Sequence, residues 1–426
     1  MASVNAGVLL KRKTTLRVWT PLLLVAVFLL TRCITYLLWL RPDVNFVAND
    51  VSYYGFHLDR LERGEPDVMQ EYPPPAVWIL HLLYRLGGGW QSWFPLFAGF
   101  MLLLDALVAF CFYRARGARA ALFWMLFTAA NGAIVWFRFD LIPAALVALA
   151  CLLLTSRPWW SGAFVGMGAA IKFWPALLIF PMLAPDPRWG EGPRRLFGFL
   201  VVGGGLGAVS LLVEGWHRNV APLSWQRERG LQIESVPATP FMAVRTFTDS
   251  PHWTLELSPY NAIELFGPGV DAMLVVASVC TTLATLFAVY LAVRLIRRRA
   301  DATAILLAIF AVVLATIVAN KTLSPQYILW LGGPIAALIG QETSAWLRRH
   351  IHVLATGLVT VGLLTQITYP WATMGIMALP LGSGPETSVL VLRNLLLVVM
   401  LGHTAWLTLK TSPQRVPHES EQLAKL

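Results

Sequence analysis

Apolar residues run almost unbroken through ten stretches of the chain: 18–40, 94–113, 120–137, 141–155, 196–213, 270–293, 302–319, 327–340, 351–368 and 387–409. Runs approaching 20 apolar residues predict membrane-spanning helices. Residues 73–86 are equally apolar but too short to span, and they predict a helix lying in the membrane interface. Residues 162–183 are long enough to span once, yet Lys172 and Pro175 interrupt them and both flanks are basic (Arg157; Arg188, Arg194, Arg195). That pattern predicts a broken or re-entrant segment, which bilayers tolerate only where the backbone is protein-covered or lines a wet cavity.

Charge fixes the expected orientation. Lys11, Arg12, Lys13 and Arg17 precede the first run, so the positive-inside bias places residues 1–17 in the cytoplasm. Reading 73–86 as interfacial then leaves Arg114, Arg116, Arg119, Arg294, Arg297–Arg299, Arg348 and Arg349 on the cytoplasmic side. The expected layout is an all-α polytopic membrane protein of about 10–12 transmembrane helices. It has a single domain over 18–409, a first external loop at 41–93, a large external loop at 214–269 and a cytoplasmic tail at 410–426. The run after Lys13 is too long for a signal h-region and reads as an anchor. Repeats of the kind found in inverted-repeat transporters are not evident.

Composition narrows the class. Only 13% of the 426 residues are charged and 57% are hydrophobic, against about 25% and 45–50% in soluble domains. A soluble enzyme and a disordered chain are both excluded. The 33 basic and 23 acidic residues leave a net charge of +10. The excess sits in short clusters between apolar runs and forms no nucleic-acid-binding stripe. Cys33, Cys111, Cys151 and Cys280 all lie inside apolar runs, as embedded thiols would.

The remaining polar residues gather on the predicted outer side. One group is Asn49-Asp50-Val51-Ser52-Tyr53-Tyr54 with His57, Asp59 and Glu71-Tyr72-Pro73-Pro74-Pro75. A second is Trp225 to Ser235, a third Asn320 to Tyr327, and a short turn carries Arg138-Phe139-Asp140. Wet loops are polar in any case, and Arg138 with Asp140 could form a structural pair at a helix end. Arg32 and Asp105 lie within predicted spans, where charge is costly. They read either as a structural pair or, for Arg32, as a phosphate clamp.

At these residues the chain resembles the C-type polyprenol-phosphate-sugar-dependent glycosyltransferases. Within them it resembles the actinobacterial alpha-mannosyltransferases that include the phosphatidylinositol mannoside mannosyltransferases. The resemblance spans about 18–409 and rests on Asn49-Asp50 with Tyr53, Gly64-Glu65-Pro66, Tyr72-Pro73-Pro74, Lys172-Phe173-Trp174-Pro175, Arg229 to Ser235 and Ser324-Pro325-Gln326-Tyr327.

The resemblance implies the C-type fold and an inverting transfer of mannose from polyprenyl-phosphate-mannose to a glycolipid or glycan acceptor. The reaction would take place on the extracytoplasmic face of the plasma membrane, without nucleotide sugar or other cofactor. Asp50 matches the family's catalytic aspartate by position, as general base, with Asp59 as its rival. Lys172 matches the family's Lys-x-x-Pro on the donor phosphate. Arg229, Lys321, Arg138 and Arg32 join it as candidates by charge and side. Tyr53, Tyr54, His57, Asp59, Glu234, Gln326 and Tyr327 are candidates for sugar and acceptor, and Trp225 and Trp253 for stacking. His57, His81, His217 and His252 show no metal-ligand spacing, so no metal is expected. A lipid-linked-sugar transporter or flippase is the rival reading. It should show paired helix breaks and charge at mid-membrane. A non-catalytic scaffold would need neither Arg32 nor Asp105.

Overall fold

The computed structural model describes residues 2–65, 67–185, 190–259 and 262–411, with side chains from residue 20 onward. Pro66, Arg188 and most of the expected cytoplasmic tail lie outside the described residues.

The chain is mostly helical. Among the described residues seven helices are long and apolar enough to cross a membrane. The first is α1 (Ala2–Trp39), apolar enough over Thr20–Trp39. Two short helices follow, α2 (Asn49–Glu62) and α3 (Pro74–Leu86), and then the long α4 (Trp90–Arg116). Helices α5 (Ala118–Ala130), α6 (Leu141–Leu152) and α7 (Pro158–Ile171) are shorter. Helix α8 (Glu191–Glu228) is long and kinked. It leads to strand β1 (Leu231–Gln232), the short helix α9 (Thr239–Phe247) and strands β2 (Thr254–Leu257) and β3 (Ile263–Phe266). The last five helices are α10 (Val270–Arg297), α11 (Ala302–Ala319), α12 (Pro325–Ile339), α13 (Ala345–Trp371) and α14 (Gly384–Lys410).

Three differences from the sequence expectation have physical causes. The expected spans at 120–137, 141–155 and 327–340 are short helices within the bundle, with almost every residue of α6 and α12 covered by protein. A helix that need not face lipid need not be long enough to cross it. Residues 49–62, expected as loop, form α2, because Val51, Tyr54 and Leu58 recur at helical spacing and are all buried. The expected external loop at 214–269 begins as helix. In α8 the chain kinks at Gly215 (φ 75°), and residues 216–228 continue as a helix above the cavity described below.

The expected break at Lys172 is present. Pro175 cannot supply the N–H that would bond to the Ile171 carbonyl. Helix α7 therefore stops at Ile171, Lys172 is extended (φ −158°, ψ 126°), and a 3₁₀ turn runs from Trp174 to Leu178. The hub is α11, 83% of whose residues are buried.

At one end of the bundle the three strands form a small antiparallel sheet in the order β1-β3-β2, with Leu231 opposite Leu265 and Leu255 opposite the same residue. The sheet, α2, α3 and the second half of α8 all gather at this end. The opposite ends of α4, α10 and α13 carry Arg114 and Arg116, Arg294 and Arg297, and Arg348 and Arg349.

Candidate functional site

A polar cavity of about 620 Å³ opens at the end of the bundle that carries the sheet. Stretches far apart in the chain meet in it, among them α2, Glu71-Tyr72, the Arg138 turn, the Lys172 break, the end of α8 with the Arg229–Glu234 segment, the start of α12 and Tyr369.

Asp50 lies in the first turn of α2, where the helix dipole favours a carboxylate. Helix α2 is seated by Gly55, since a Cβ there would lie 2.6 Å from the Trp93 ring, and by Trp93 Nε1 donating to the Val51 carbonyl at 2.7 Å. The Asp50 side chain keeps 28% of its surface open to the cavity and pairs with Arg138, which is almost wholly buried. Burial pushes Asp50 above the ordinary carboxylate range, and the Arg138 guanidinium draws it back down without cancelling the rise. Arg138 also donates through Nη2 to the Tyr369 hydroxyl at 2.7 Å.

Arg138 and Asp140 were candidates for a mutual pair. They pair apart: Arg138 takes Asp50, and Asp140 takes Lys172 at 2.8 Å. Asp140 is fully buried and also accepts from Trp330 Nε1 at 2.9 Å. Asp140 and Lys172 lie near enough to Asp50 to act on its charge. Lys172 lies 5.4 and 5.7 Å from the ring centres of Tyr72 and Tyr327, so its ammonium faces aromatic walls. Tyr327 in turn stacks on Trp330, and Trp330 on Trp174.

Opposite them, Tyr53 donates to Glu71 at 2.6 Å, and the hydroxyls of Tyr54 and Tyr72 are 3.1 Å apart. Burial raises the Glu71 carboxyl, partly offset by the Tyr53 hydrogen bond. His57 packs edge-on against Tyr53 with Nδ1 unpaired, and burial lowers its pKa. On the sheet side Glu234 accepts from Arg393 at 2.9 Å. Arg393 and Asn394 also donate to the Glu234 carbonyl, at 2.6 and 3.1 Å. Burial raises Glu234 and Arg393 opposes the rise. Arg229 lines the cavity with its Nε buried and unpaired.

The cavity therefore collects Asp50, Lys172, Arg138, Arg229, Tyr53, Tyr54, His57, Glu234, Gln326, Tyr327 and Trp225 from the sequence candidates. Four others lie elsewhere. Arg32 is bound within the bundle: its Nε donates to Asp105 at 3.0 Å and its Nη1 to the Met125 carbonyl at 2.9 Å. The structural pair is the reading that its surroundings match, because no space there admits a phosphate. Asp59 faces away from the cavity, pairing with Arg63 at 3.1 Å and accepting from the Tyr84 hydroxyl at 3.4 Å. Two residues turn Asp59 about 200° from His57 and nine turn it about 180° from Asp50, so it lies on the face of α2 opposite both. Lys321 caps the end of α8, donating to the carbonyls of Arg227 (2.9 Å) and Arg229. Trp253 packs on Phe241 and donates to the Pro268 carbonyl at 3.1 Å.

Glu71, Tyr369 and Arg393 were not among the sequence candidates. Arg393-Asn394 within an apolar run was a readable signal for a buried polar site. Among the described residues no three His, Cys, Asp or Glu side chains are grouped closely enough to hold a metal ion.

Residues 71–242 match the model of glycosyltransferase family 87. That stretch, about two fifths of the chain, carries Glu71, Arg138, Asp140, Lys172, Arg229 and Glu234. A search of curated proteins returned no match. Among solved structures, the chain is similar to the crystal structure of ArnT from Cupriavidus metallidurans bound to undecaprenyl phosphate. The identity is 18%, the alignment covers 90% of this chain and 77% of that one, and the TM-score is 0.44.

Proposed function

We propose that the protein is an inverting membrane glycosyltransferase of the C-type fold. It moves mannose from polyprenyl-phosphate-mannose to a glycolipid or glycan acceptor on the extracytoplasmic face of the plasma membrane. The observation that carries the reading is one cavity in which a partly open carboxylate, Asp50, stands beside two cations, Arg138 and Lys172. The family-87 match over residues 71–242, which bring Arg138, Lys172, Arg229 and Glu234 to the cavity, supports the transferase class.

The chemistry follows from the arrangement. Asp50 takes the proton from the acceptor hydroxyl as that oxygen bonds to C1 of the sugar. The bond from C1 to the phosphate oxygen breaks, and its electron pair stays on the phosphate. The lipid phosphate leaves as an anion, so it needs cations and no acid; Lys172 and Arg229 meet the growing charge. Arg138 holds Asp50 in place and opposes the rise that burial imposes on its carboxyl. Glu234, fixed by Arg393, and Gln326 accept or donate to sugar hydroxyls, and Tyr53, Tyr54 and Tyr327 offer faces for the ring.

The basic far ends of α4, α10 and α13 support a cytoplasmic location for that end and an outward-facing cavity. A transporter would hold its substrate near the middle of the bundle, whereas this cavity lies at one end.

The test is transfer of radiolabel from polyprenyl-phosphate-mannose in sealed right-side-out vesicles, with a panel of glycolipid acceptors and with polyprenyl-phosphate-glucose and GDP-mannose as competing donors. Label should pass from the lipid-phosphate mannose alone. Transfer from the glucose donor would change the sugar, transfer from GDP-mannose would overturn the donor class, and label crossing the membrane unreacted would favour transport.

A further inference from the structure

The small sheet brings polar groups of its own to the cavity wall. Across its strands Leu231, Leu265 and Leu255 share one face, where Leu231 and Leu265 belong to a buried apolar cluster and Leu255 packs against it. Side chains alternate along a strand, so Gln232 and Glu264, paired across β1 and β3, share the opposite face. Gln232 lines the cavity and is 8% exposed, and Glu264 beside it is 4% exposed. The Oε1 atoms of both are buried without a hydrogen-bond partner, as is Nε of Arg229 in the same wall. The backbone fixes the group. The Gln232 N–H donates to the Lys321 carbonyl at 3.1 Å, and a Cβ at Gly230 would lie 2.5 Å from Glu264 Oε2, so glycine lets the chain pass that close. Lys321 is near enough to Glu264 and Arg229 to feel both charges, yet its ammonium donates to the Arg227 and Arg229 carbonyls. Native chains pair nearly all their buried polar atoms, so three orphans in one cavity wall point to a ligand.

We propose that Gln232 and Glu264 bind hydroxyls of the donor's hexose, beside a phosphate at Arg229, and so select the sugar that is transferred. The proposal rests on the transferase reading above. The mixed charge of the group singles out hydroxyls. A metal ion would be repelled by Arg229 and Lys321, and an anion by Glu264. A hydroxyl both donates and accepts. That matches two orphan acceptors, Gln232 Oε1 and Glu264 Oε1, and one orphan donor, Arg229 Nε. Arg229 also decides between the two sugars of the reaction. The hexose next to a phosphate is the donor's, whereas the acceptor must bring its hydroxyl to Asp50. A site built on a buried carboxylate rejects a sugar that lacks the hydroxyl, because the carboxylate is then left unpaired again.

The test measures kcat/KM for polyprenyl-phosphate-mannose, for its analogues lacking one ring hydroxyl each and for polyprenyl-phosphate-glucose. One acceptor is used throughout, in detergent micelles, with the wild type, Glu264→Gln and Gln232→Ala. The wild type should discriminate against at least one deoxy donor by roughly 10- to 150-fold, the range of a hydrogen bond to a charged group. Glu264→Gln keeps the shape and removes the charge. It should lose most of that discrimination through a fall on the mannose donor, with the acceptor KM unchanged. Its Tm should be no lower than that of the wild type, because a buried, unpaired charge is gone. A carboxylate with only a structural role would do the reverse, lowering Tm and leaving the ranking of donors intact. Variants that rank the deoxy donors as the wild type does would overturn the proposal, as would a change confined to the acceptor KM. Gln232→Ala, in the cavity wall itself, decides by the same readout should Glu264→Gln fail to fold. A wild type that transfers from neither the mannose nor the glucose donor would sink the transferase reading, and this proposal with it.

Discussion

Two arginine–aspartate pairs, Arg32–Asp105 and Arg138–Asp50, are built alike and placed differently. Each arginine is almost wholly buried. Asp105 is fully buried as well. It accepts from Arg32 and from Trp124 Nε1 at 2.8 Å, and no space for a water molecule remains around it. Every strong interaction it can make is already made, so it ties α1, α4 and α5 together and does no more. Asp50 leaves 28% of its side chain open to a cavity of about 620 Å³. An arriving hydroxyl can reach it, and a phosphate can compete for the neighbouring cations. Burial of charge alone therefore does not mark a reactive group; the open coordination of the pair does.

The largest effect that would break this contrast is at Asp50. Asp50→Asn keeps the shape and removes the base, and transfer should fall about 10²–10⁴-fold with the unfolding transition unmoved. Next is Arg32→Ala, which strands a buried carboxylate. It should cost about 3–5 kcal/mol of stability, read as a loss of folded yield and a lower Tm, with the folded fraction still active. Lys172→Ala removes a charge-assisted contact worth about 1.5–3 kcal/mol. It should lower donor kcat/KM by roughly 10- to 150-fold and leave the acceptor KM in place, and Lys172→Arg should recover part of the loss.

A pH profile sharpens the picture. Transfer needs ionised Asp50, so the rate should fall as pH drops through its raised pKa, with the acid limb above the ordinary carboxylate range. Arg138→Gln removes the cation that lowers this pKa and should move the limb to still higher pH. A limb that stayed put would assign it to another group, Glu71 first. The smallest effect belongs to Asp59→Asn, on the far face of α2, where transfer should be unchanged and stability should shift by no more than about 0.5 kcal/mol.

Much of this was legible from sequence. Apolar runs located the long helices, the Lys172–Pro175 interruption located the break, and the apolar run at 73–86 located the short helix α3. Asp50, Lys172, Arg138, Arg229 and Glu234 were all candidates and all reach one cavity. The pairing was not legible. Arg138 has a carboxylate two residues away, yet it pairs with one 88 positions earlier, and only the packing of α2 against the turn decides between them. Asp59 stayed a rival to Asp50, because a list of polar residues does not say which face of α2 meets the cavity, and Lys321 stayed a phosphate candidate, because its charge does not say that it caps the end of α8. Which apolar runs would form short, protein-covered helices was not legible, because an apolar run reads the same whether protein or lipid surrounds it.

The most direct measurement sets the two pairs against each other. Purified wild type, Asp50→Asn and the double variant Arg32→Met/Asp105→Leu would be reconstituted at matched folded amounts and followed by transfer of label from polyprenyl-phosphate-mannose. Replacing a closed buried pair by apolar residues of similar size is often neutral or stabilising. The double variant should therefore transfer at the wild-type rate, while Asp50→Asn should be nearly silent. A folded double variant without activity, or an active Asp50→Asn, would contradict the assignment of structure to one pair and chemistry to the other.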